Sequence, residues 1–259
     1  MFLLPLNKLF DCGIIKQKSH SVKVISVGNI RVGGTGKTPF VEYLIKALSP
    51  YFNLAILSRG YGRKTKGFIH LQPHHSASEV GDEPLLIYKR NPNTLVAVCE
   101  ERNKGVENIL KDSPKTNLII LDDAYQHRYI NRDINILLTE YNRPFFKDRV
   151  IPYGRLREYR KGYKRASYIV VTKCPPLNEK QKQDFVLKLK PLPHQKIFFS
   201  NIVYKLPYHI KNKEKQINLS DYKVLLLTGI ANNQHIIEYL NSITQVVDTI
   251  TFSDHHNFT

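Results

Sequence analysis

Short runs of mainly β-branched apolar residues alternate along this chain with stretches in which apolar residues recur at helical spacing. The apolar runs occupy residues 22–27, 54–57, 94–98, 118–121, 134–138 and 168–172. A run that is apolar at nearly every position is typical of a parallel-sheet strand, because helices cover both of its faces. The pattern therefore predicts an α/β protein with a mostly parallel sheet and helices on both faces.

A change in the pattern separates two parts of the chain. A polar helical stretch follows the last of these runs, residues 196–204 read as an extended connecting strand, and a strand, helix and strand pattern occupies residues 223–251. We therefore predict a first domain in residues 1–195, and a β linker with a smaller, partial second α/β domain in residues 196–259. Since the chain ends soon after this pattern, we expect the second domain to be truncated.

A glycine-rich turn joins the first predicted strand to an amphipathic helical pattern. It consists of Gly33, Gly34, Thr35, Gly36, Lys37 and Thr38. Several backbone N–H groups of such a turn meet at the positive end of the helix dipole, so the turn is typical of a phosphate-binding loop. We expect Lys37 to reach the β and γ phosphates of a nucleotide and Thr38 to ligate Mg²⁺. Arg31 stands where the motif usually has its first glycine, and a turn without a ligand is the alternative.

An acidic pair follows another predicted strand. Asp122 and Asp123 come directly after the apolar residues 118–121, at the carboxyl end of a strand, where ligands bind in open α/β sheets. We expect one of the two to hold the water shell of Mg²⁺, as the acidic residue of the second nucleotide motif does in P-loop enzymes. Together with the glycine-rich turn, this strand end predicts a site for a nucleotide and Mg²⁺.

Two loops near this edge of the sheet are open to more than one interpretation. Asp82 stands in residues 81–84, just ahead of a helical run, and is either the cap of that helix or a functional acid. The loop from Arg59 to Arg63 follows the second predicted strand, and it either meets a phosphate or is a solvated turn.

Two further motifs bear on the nucleotide and on proton transfer. Residues 169–173 resemble the guanine-reading strand end of GTPases, but Cys174 follows where an aspartate would pair with guanine, which favours ATP. Near the end of the chain, Asp254, His255 and His256 could form part of a metal site or a carboxylate–imidazole pair for acid–base chemistry. Adjacent histidines in a strand point to opposite faces, so we favour the acid–base pair.

The charge balance favours anionic partners. Lys and Arg number 39 against 22 Asp and Glu, a formal net charge of +17, which suits nucleic acid, anionic lipid headgroups or a phosphorylated small substrate. A merely basic surface is the alternative. One segment concentrates this charge and predicts an anion site or a solvated face: it holds Arg155, Arg157, Arg160, Lys161, Lys164 and Arg165. The three cysteines show no pairing by spacing, which fits a reducing cytoplasm.

The apolar N-terminus is too short to span a membrane. Residues 1–10 are mostly apolar but are interrupted by Pro5, whereas a spanning helix needs about 20 apolar residues. The segment either lies on a membrane surface or packs as a helix on the protein core.

Seven motifs stand in order along the chain: Gly28-Asn29, residues 32–39, Ser58 to Arg63, Val80 to Pro84, Leu121 to His127, Gly154 to Glu158 and Asp254-His255. This ordered set resembles the tetraacyldisaccharide 4'-kinase (lipid A 4'-kinase) family of Gram-negative bacteria. The match runs from one end of the chain to the other, and this ordered set is far more specific than a phosphate-binding loop alone. Ala124 and Tyr125 depart from the family, which commonly has glycine and phenylalanine there.

The resemblance implies transfer of the γ phosphate of ATP to the 4'-hydroxyl of tetraacyldisaccharide 1-phosphate, with Mg²⁺ as the metal. It implies a peripheral enzyme at the cytoplasmic face of the bacterial inner membrane, with this glycolipid and the membrane surface as partners. Neither nucleic acid nor an obligate protein partner is expected. The fold would be a P-loop NTPase-type domain that binds the nucleotide, and a second α/β domain joined to it by a β linker.

The resemblance also implies particular roles, which extend those expected from the motifs. Lys37 and Thr38 would bind the phosphates and Mg²⁺, with Asp122 and Asp123 in the metal site. The proton-transfer and phosphate-contacting residues would be Asp82 as general base, His255 as its partner, and Arg157 and Glu158 close to the transferred phosphate.

A switch or partitioning ATPase that binds membrane or nucleic acid is the main alternative. It would explain the glycine-rich turn and the positive charge equally well. It gives no role to Asp82 or to Asp254 and His255, and it predicts ATP turnover without a sugar acceptor. Another small-molecule P-loop kinase would instead depend on a simple hydroxylated acceptor.

Overall fold

The aliphatic runs form the strands of one large sheet. In the computed structural model, which describes residues 3–230 and 233–252, the chain divides into two units, Met1–Asn201 and Ile202–Thr259. The strands of the first unit are β1 (Lys23–Gly28), β2 (Leu54–Ser58), β3 (Ile69–His70), β4 (Leu95–Val98), β5 (Leu118–Asp122), β6 (Ile134–Glu140), β7 (Tyr168–Thr172) and β8 (Lys196–Phe199). Its helices are α1 (Leu3–Asp11), α2 (Lys37–Leu48), α3 (Ala77–Val80), α4 (Asp82–Arg90), α5 (Arg102–Asp112) and α6 (Glu179–Leu189), with short 3₁₀ turns at Phe145–Lys147 and Arg160–Arg165.

The order of the strands determines where a ligand can bind. Across the described ranges, the sheet has eight strands in the order β3-β4-β2-β5-β1-β6-β7-β8, with β3 antiparallel to β4 and the other neighbours parallel. The central strand β1 lies between β5 and β6, and Val27 is opposite Asp122. Because the chain leaves β1 toward one side of the sheet and β5 toward the other, a crevice opens outside the carboxyl ends of these strands. The predicted mostly parallel α/β sheet is confirmed.

Helices cover both faces of this sheet. Successive residues of β1 serve opposite faces: Ile25 packs in a cluster with Val41 of α2, whereas Val24 packs in a cluster with Val106 of α5. Burial of each such aliphatic side chain contributes about 1.5–3 kcal/mol relative to exposure. The two-sided burial explains why the strands read as unbroken apolar runs rather than as alternating patterns.

One strand lies where the sequence indicated a linker. Lys196–Phe199, expected to begin the β linker, pairs in parallel with β7 as the edge strand β8. The division between the units accordingly falls after Asn201, later than residue 195. The side chains of β8 are alternately exposed and half-buried, and such a pattern is the same in an edge strand and in an extended connection.

The second unit, taken by itself, contains a strand–helix–strand motif. Its elements are β9 (Tyr208–His209), β10 (Asn212–Gln216), β11 (Lys223–Thr228), α7 (Gln234–Ile243) and β12 (Gln245–Thr251), with a 3₁₀ turn at Leu219–Asp221. β9 and β10 form an antiparallel pair, and β11 and β12 are parallel strands joined through α7. Leu226 and Leu240 are the buried aliphatic residues of β11 and α7.

The last turn of α1 packs on the first unit. Phe10 is buried, and the guanidinium of Arg128 lies 5.0 Å from the centroid of its ring. Arg128 also donates to the backbone oxygen of Asn7 at 3.0 Å. Packing on the core, one of the two alternatives for the N-terminal segment, therefore applies to this turn. In the part of the chain that the structure describes, every helix is too short or too polar to cross a membrane.

Candidate functional site

The glycine-rich turn links β1 to α2. Gly33 and Gly36 have φ angles of 116° and 84°, in the left-handed region where a residue with a Cβ is strained. Gly36 is the N-cap residue of α2, and Lys37 is the first residue of the helix. The first turn of a helix directs backbone N–H groups toward the positive end of its dipole, so this turn has the geometry of an anion site.

Three charged side chains meet beside this turn. The Nζ atom of Lys37 lies 3.7 Å from a carboxylate oxygen of Asp123, and Arg157 donates to both oxygens of that carboxylate at 3.1 Å. Asp123 directly follows β5 and has a φ of 45°, a left-handed conformation that Asp tolerates better than most residues. Because two cations face one carboxylate, the cluster carries positive charge next to the anion site.

Asp122, the last residue of β5, is fully buried at the same edge. One carboxylate oxygen accepts from the hydroxyl of Ser58 at 3.2 Å, and the other has no hydrogen-bond partner among the described residues. Burial raises the pKa of Asp122 to about 7; the charges of Glu83 and Asp123 add to this effect, while Lys37 and Ser58 oppose it. The spare oxygen can accept from a bound water or face a cation.

Burial lowers the pKa values of Arg102 and His127. Arg102 is buried, and burial lowers its pKa to about 10 although the charge of Asp122 opposes the shift. Its guanidinium lies 3.5 Å from the backbone oxygen of Asp122. Burial, followed by the charges of Arg102, Arg132 and Arg59, lowers the pKa of His127 to about 4. The imidazole is therefore uncharged near neutral pH.

The first turn of α4 reaches the same edge of the sheet. Asp82 begins this helix, is exposed, and accepts the backbone N–H of Glu83 at 2.9 Å. Glu83, the second residue of α4, is among the charges that raise the pKa of Asp122. Gly81 packs so tightly on Gly60 that a Cβ at Gly81 would stand 3.1 Å from the Gly60 Cα atom. Because Gly60 lies two residues after the carboxyl end of β2, this contact places Asp82 at the carboxyl edge of the sheet.

Glu158 lies in different surroundings from its neighbour Arg157. Only 1% of the Glu158 side chain is exposed, and its carboxylate is 2.8 Å from Arg165. It also accepts from the side-chain amides of Gln126 and Asn7, both at 3.1 Å. A buried carboxylate requires such partners. They connect Glu158 to α1 through Asn7 and, through Gln126, to Asn29 directly after β1, because Gln126 also donates to the backbone oxygen of Asn29 at 2.7 Å. Arg157 contacts Asp123 beside the glycine-rich turn, and the proximity of Arg157 and Glu158 to a transferred phosphate stays a prediction.

The predicted site residues are brought together only in part. The residues that the structure gathers at one edge of the sheet are Gly33, Gly34, Thr35, Gly36, Lys37, Thr38, Asp82, Asp122, Asp123 and Arg157. His255, with Asp254 and His256, lies outside the described residues, so its acid–base role stays a prediction.

The described residues fit a Mg²⁺ site of the kind found with nucleotides. In residues 3–230 and 233–252, no group of three or more His, Cys, Asp or Glu side chains could hold a metal ion. Mg²⁺ at nucleotide sites is usually held by one or two protein ligands together with phosphates and water. The hydroxyl of Thr38, in the first turn of α2, and the spare buried oxygen of Asp122 are donors of this type.

The structure shows contacts to the loop that the sequence did not predict. Arg31, at the position of the missing first glycine, is buried and ion-paired rather than part of the turn. Thr172 donates to the backbone oxygen of Thr35 at 2.9 Å, and Lys173 donates to that of Gly34 at 2.5 Å. The strand end that the sequence analysis compared with the guanine-reading strand end of GTPases thus contacts the glycine-rich turn. Its sequence signal is a threonine that ends a buried strand and a lysine directly after it.

A large cavity adjoins the basic segment near α1. Its volume is about 1430 Å³, and it lies between α1 and residues 148–165. Apolar side chains such as Ile151 and Leu156 line it together with cationic ones such as Lys161 and Lys164. A cavity that combines apolar walls with positive charge suits an amphiphile that carries anionic groups.

Comparisons with known proteins identify relatives over nearly the whole chain. A family model described as tetraacyldisaccharide-1-P 4'-kinase matches residues 4–259. A tetraacyldisaccharide 4'-kinase of Bacteroides fragilis is 44% identical over 261 residues, which cover 97% of this chain and 69% of that protein. For the enzyme of the same name in Flavobacterium johnsoniae, identity is 44% over 256 residues, with 97% and 74% covered.

A solved structure is similar to nearly the whole chain. The crystal structure of the "apo" form of LpxK from Aquifex aeolicus in complex with ATP superimposes with a TM-score of 0.76 and 33% sequence identity. The similarity covers 98% of this chain and 79% of that chain.

Proposed function

The chain belongs to the tetraacyldisaccharide-1-P 4'-kinase family, and on that premise we propose how its residues perform the reaction. The protein is a phosphotransferase of lipid A biosynthesis that phosphorylates the 4'-hydroxyl of tetraacyldisaccharide 1-phosphate with ATP. The observation that carries our assignment of the site is the contact of Lys37, Asp123 and Arg157 beside the glycine-rich turn.

The glycine-rich turn holds the triphosphate of ATP. Its left-handed glycines and the first turn of α2 direct backbone N–H groups toward one small volume, and Lys37 adds a charge there. The similar protein of Aquifex aeolicus was crystallised with ATP, which supports this role.

Lys37 and Arg157 stabilise the charge on the transferred phosphoryl group. As the bond to ADP breaks, negative charge spreads over the phosphoryl oxygens and the leaving oxygen, and fixed cations lower the energy of this state. Asp123 contacts both cations and so keeps them aligned before the nucleotide binds. Mg²⁺, when bound, would neutralise further phosphate charge; Thr38, Asp122 and Asp123 are the residues that would hold it or its water shell.

Asp82 acts as the general base on the acceptor hydroxyl. It stands exposed at the start of α4, where a substrate can reach its carboxylate. A base in this position orients the attacking hydroxyl and removes its proton, an effect typically worth about 10²–10⁴-fold in rate. By resemblance to the family, His255 assists Asp82 as a carboxylate–imidazole partner.

The acceptor is an anionic glycolipid, and we propose that the enzyme meets it at the cytoplasmic surface of the inner membrane. The net charge of +17 favours an anionic leaflet, and the cavity beside α1 combines apolar and cationic groups. These features suit a molecule that carries both acyl chains and a phosphate.

The test is transfer of the γ phosphate from labelled ATP to tetraacyldisaccharide 1-phosphate in mixed detergent micelles. Lys37→Ala and Asp82→Asn are each expected to lower turnover by at least about 10²-fold. Matched controls are Lys46→Ala, on an exposed position of α2, and Asp184→Asn, on an exposed position of α6; both should keep the parental rate.

Asp82→Asn should also keep its affinity for ATP, because Asp82 contacts the acceptor rather than the nucleotide. An Asp82→Asn protein with parental turnover would remove the base assignment. Full activity of Lys37→Ala would show that the phosphates bind elsewhere. Hydrolysis of ATP without labelling of the glycolipid would favour the switch ATPase.

A further inference from the structure

Two side chains at the carboxyl end of β7 donate hydrogen bonds to the backbone of the phosphate-binding loop, residues 33–38. The hydroxyl of Thr172 donates to the backbone oxygen of Thr35 at 2.9 Å. The Nζ atom of Lys173, the next residue, donates to the backbone oxygen of Gly34 at 2.5 Å. Two successive carbonyl groups of the loop are therefore held by side chains that lie far away in the sequence.

These donors affect anion binding because each peptide unit carries an N–H group at one end and a carbonyl oxygen at the other. A loop binds phosphate with its N–H groups, and a carbonyl oxygen turned toward the same volume would repel the anion. The carbonyl of the buried residue Thr35 needs a donor on the other side, since an unpaired buried carbonyl is costly, and a donor at the carbonyl of the exposed Gly34 favours the same orientation. Thr172 and Lys173 supply these donors and so favour the orientation in which the carbonyls of Thr35 and Gly34 face away from the ligand.

Lys173 is itself fixed by a buried acid. Its Nζ atom lies 2.5 Å from an oxygen of Glu140, the last residue of β6, whose side chain is 10% exposed. The other oxygen of Glu140 contacts the guanidinium of Arg31 at 3.4 Å. Loss of one partner of a buried ion pair leaves an uncompensated charge, so this arrangement holds the lysine in one place.

The same network continues to the segment that carries Arg157. The guanidinium of Arg31 donates to Asp148 at 2.8 Å, and Asp148 also accepts the backbone N–H of Arg155 at 3.1 Å. Burial alone would raise the pKa of Asp148, but the hydrogen bonds from Arg31 and from the backbone N–H groups lower it overall, so the carboxylate stays charged. The backbone N–H of Arg157 donates to the oxygen of Ile30, the residue before Arg31, at 2.8 Å.

We propose that Lys173 is a positioning residue for the nucleotide, and that it acts through Gly34 and Glu140. It holds the loop carbonyl away from the phosphates, and through Glu140 and Arg31 it connects the loop to the segment that presents Arg157. The inference rests on the proposed function in one respect, namely that the loop binds the phosphates of ATP. Lys173 itself contacts the loop and not the reacting atoms.

The experiment measures nucleotide binding separately from catalysis. A fluorescent N-methylanthraniloyl derivative of ATP is titrated, with Mg²⁺ and without the glycolipid, into the parent protein, Lys173→Met and Lys173→Arg. Lys173→Met is expected to weaken binding by about tenfold or more, the scale of one lost charge-assisted hydrogen bond. Lys173→Arg should recover most of the affinity, because it can still donate to Gly34 and pair with Glu140.

Steady-state kinetics distinguish positioning from a merely structural role. In Lys173→Met the KM for ATP should rise by a similar factor, while the KM for tetraacyldisaccharide 1-phosphate stays near the parental value. Lys182→Met is the matched control, since Lys182 also pairs with an acid, Glu179, at 2.6 Å, but on α6. It should match the parent in both assays.

Glu140→Gln is a second variant, in which Lys173 is kept and its buried partner is neutralised. It should weaken binding of the ATP derivative in the same direction, by about threefold or more. Parental affinity in Lys173→Met, or a lowered melting temperature with unchanged affinity and KM for ATP, would overturn the proposal. Lys37→Ala distinguishes failure of this inference from failure of the proposed function. If Lys37→Ala loses binding of the ATP derivative while Lys173→Met keeps it, only the role of Lys173 is wrong. If Lys37→Ala also keeps binding, the assignment of the glycine-rich turn as the phosphate site is wrong as well.

Discussion

The surroundings of His127 make the folded protein sensitive to acid. Burial and three nearby arginines lower the pKa of this imidazole to about 4. In the unfolded chain the same group takes up its proton near pH 6.5. Between about pH 6.5 and pH 4 the unfolded chain therefore binds more protons than the folded one, and stability falls as the pH falls. Above pH 6.5 this contribution to stability is fully present.

Replacement of His127 by Gln should weaken this acid sensitivity. Between about pH 7 and about pH 5, the melting temperature of the parent is expected to fall more than that of His127→Gln, because the variant has no imidazole at this position to protonate on unfolding. Melting curves followed by circular dichroism at the two pH values check this. His194→Gln, at an exposed position, is the control and should behave as the parent does. An equal fall in parent and His127→Gln would contradict the prediction.

At the scale of single residues, the sequence predicted the site residues whose surroundings are set by segments close to them in the chain. Lys37 follows from a strand, a glycine-rich turn and a helix that are consecutive in the chain, and Asp123 from its place after an apolar run. Lys173 and Glu158 could not be assigned in this way. The contact of Lys173 with Gly34 spans 139 positions, and Glu158 is buried by partners on α1 and near Gln126. No local spacing encodes such pairings.

At the scale of elements, the loop after β2 supports the start of α4 through two glycines. Gly81 has a φ of 91°, and a Cβ there would stand 3.1 Å from the Cα atom of Gly60 and 3.2 Å from the backbone oxygen of Tyr61. Contacts this short require the neighbouring backbone to shift if a Cβ is added. The position of Asp82, the residue after Gly81, therefore depends on glycine at both Gly60 and Gly81.

Gly81→Ala should lower turnover more than stability alone explains. The substitution strains the backbone and pushes α4 off the loop, and a small displacement of a general base is expected to lower kcat by about tenfold or more. Gly62→Ala is the matched control: its φ is 75°, but nothing lies within 4 Å of the added Cβ. Both variants should melt at lower temperature. Equal kcat in the two variants would show that the glycine contact does not position Asp82.

The strands that are buried on both faces of the sheet were predictable from the sequence. β2 and β5 are buried along their whole length, and such runs stand out in the sequence. β8 is half-buried at the edge and reads like a connection, and the two-residue β3 is too short to leave a pattern. Pairing of β8 with β7 is decided by tertiary contact, which a local pattern does not contain.

At the scale of the whole molecule, the excess of basic residues governs encounters with anionic surfaces. The formal net charge is +17, and the segment from Arg155 to Arg165 carries a dense part of it beside a cavity. Long-range attraction of this kind acts between exposed charges and is screened by salt.

Binding to vesicles that contain phosphatidylglycerol should therefore fall with ionic strength. Co-sedimentation is expected to decrease between about 0.1 M and about 1 M NaCl, where the Debye length falls from ~10 Å to ~3 Å. Phosphatidylcholine vesicles are the control and should bind little protein at either salt concentration. Salt-independent binding to both vesicle types would mean that apolar contacts dominate. A variant without residues 1–18 that still binds fully would exclude the N-terminal segment as the anchor.

The hydrogen bonds from the end of β7 to the phosphate-binding loop have a consequence for the newly made protein. Residues 33–38 leave the ribosome early, but Thr172 and Lys173, which hold the loop carbonyls, follow only after most of the first unit has been translated. At synthesis rates of about 5–20 residues per second, this delay is on the order of ten seconds. On the proposed role of Lys173, a nascent chain carries the whole glycine-rich motif before it reaches full affinity for ATP, which it attains only once β7 has joined the sheet beside β6.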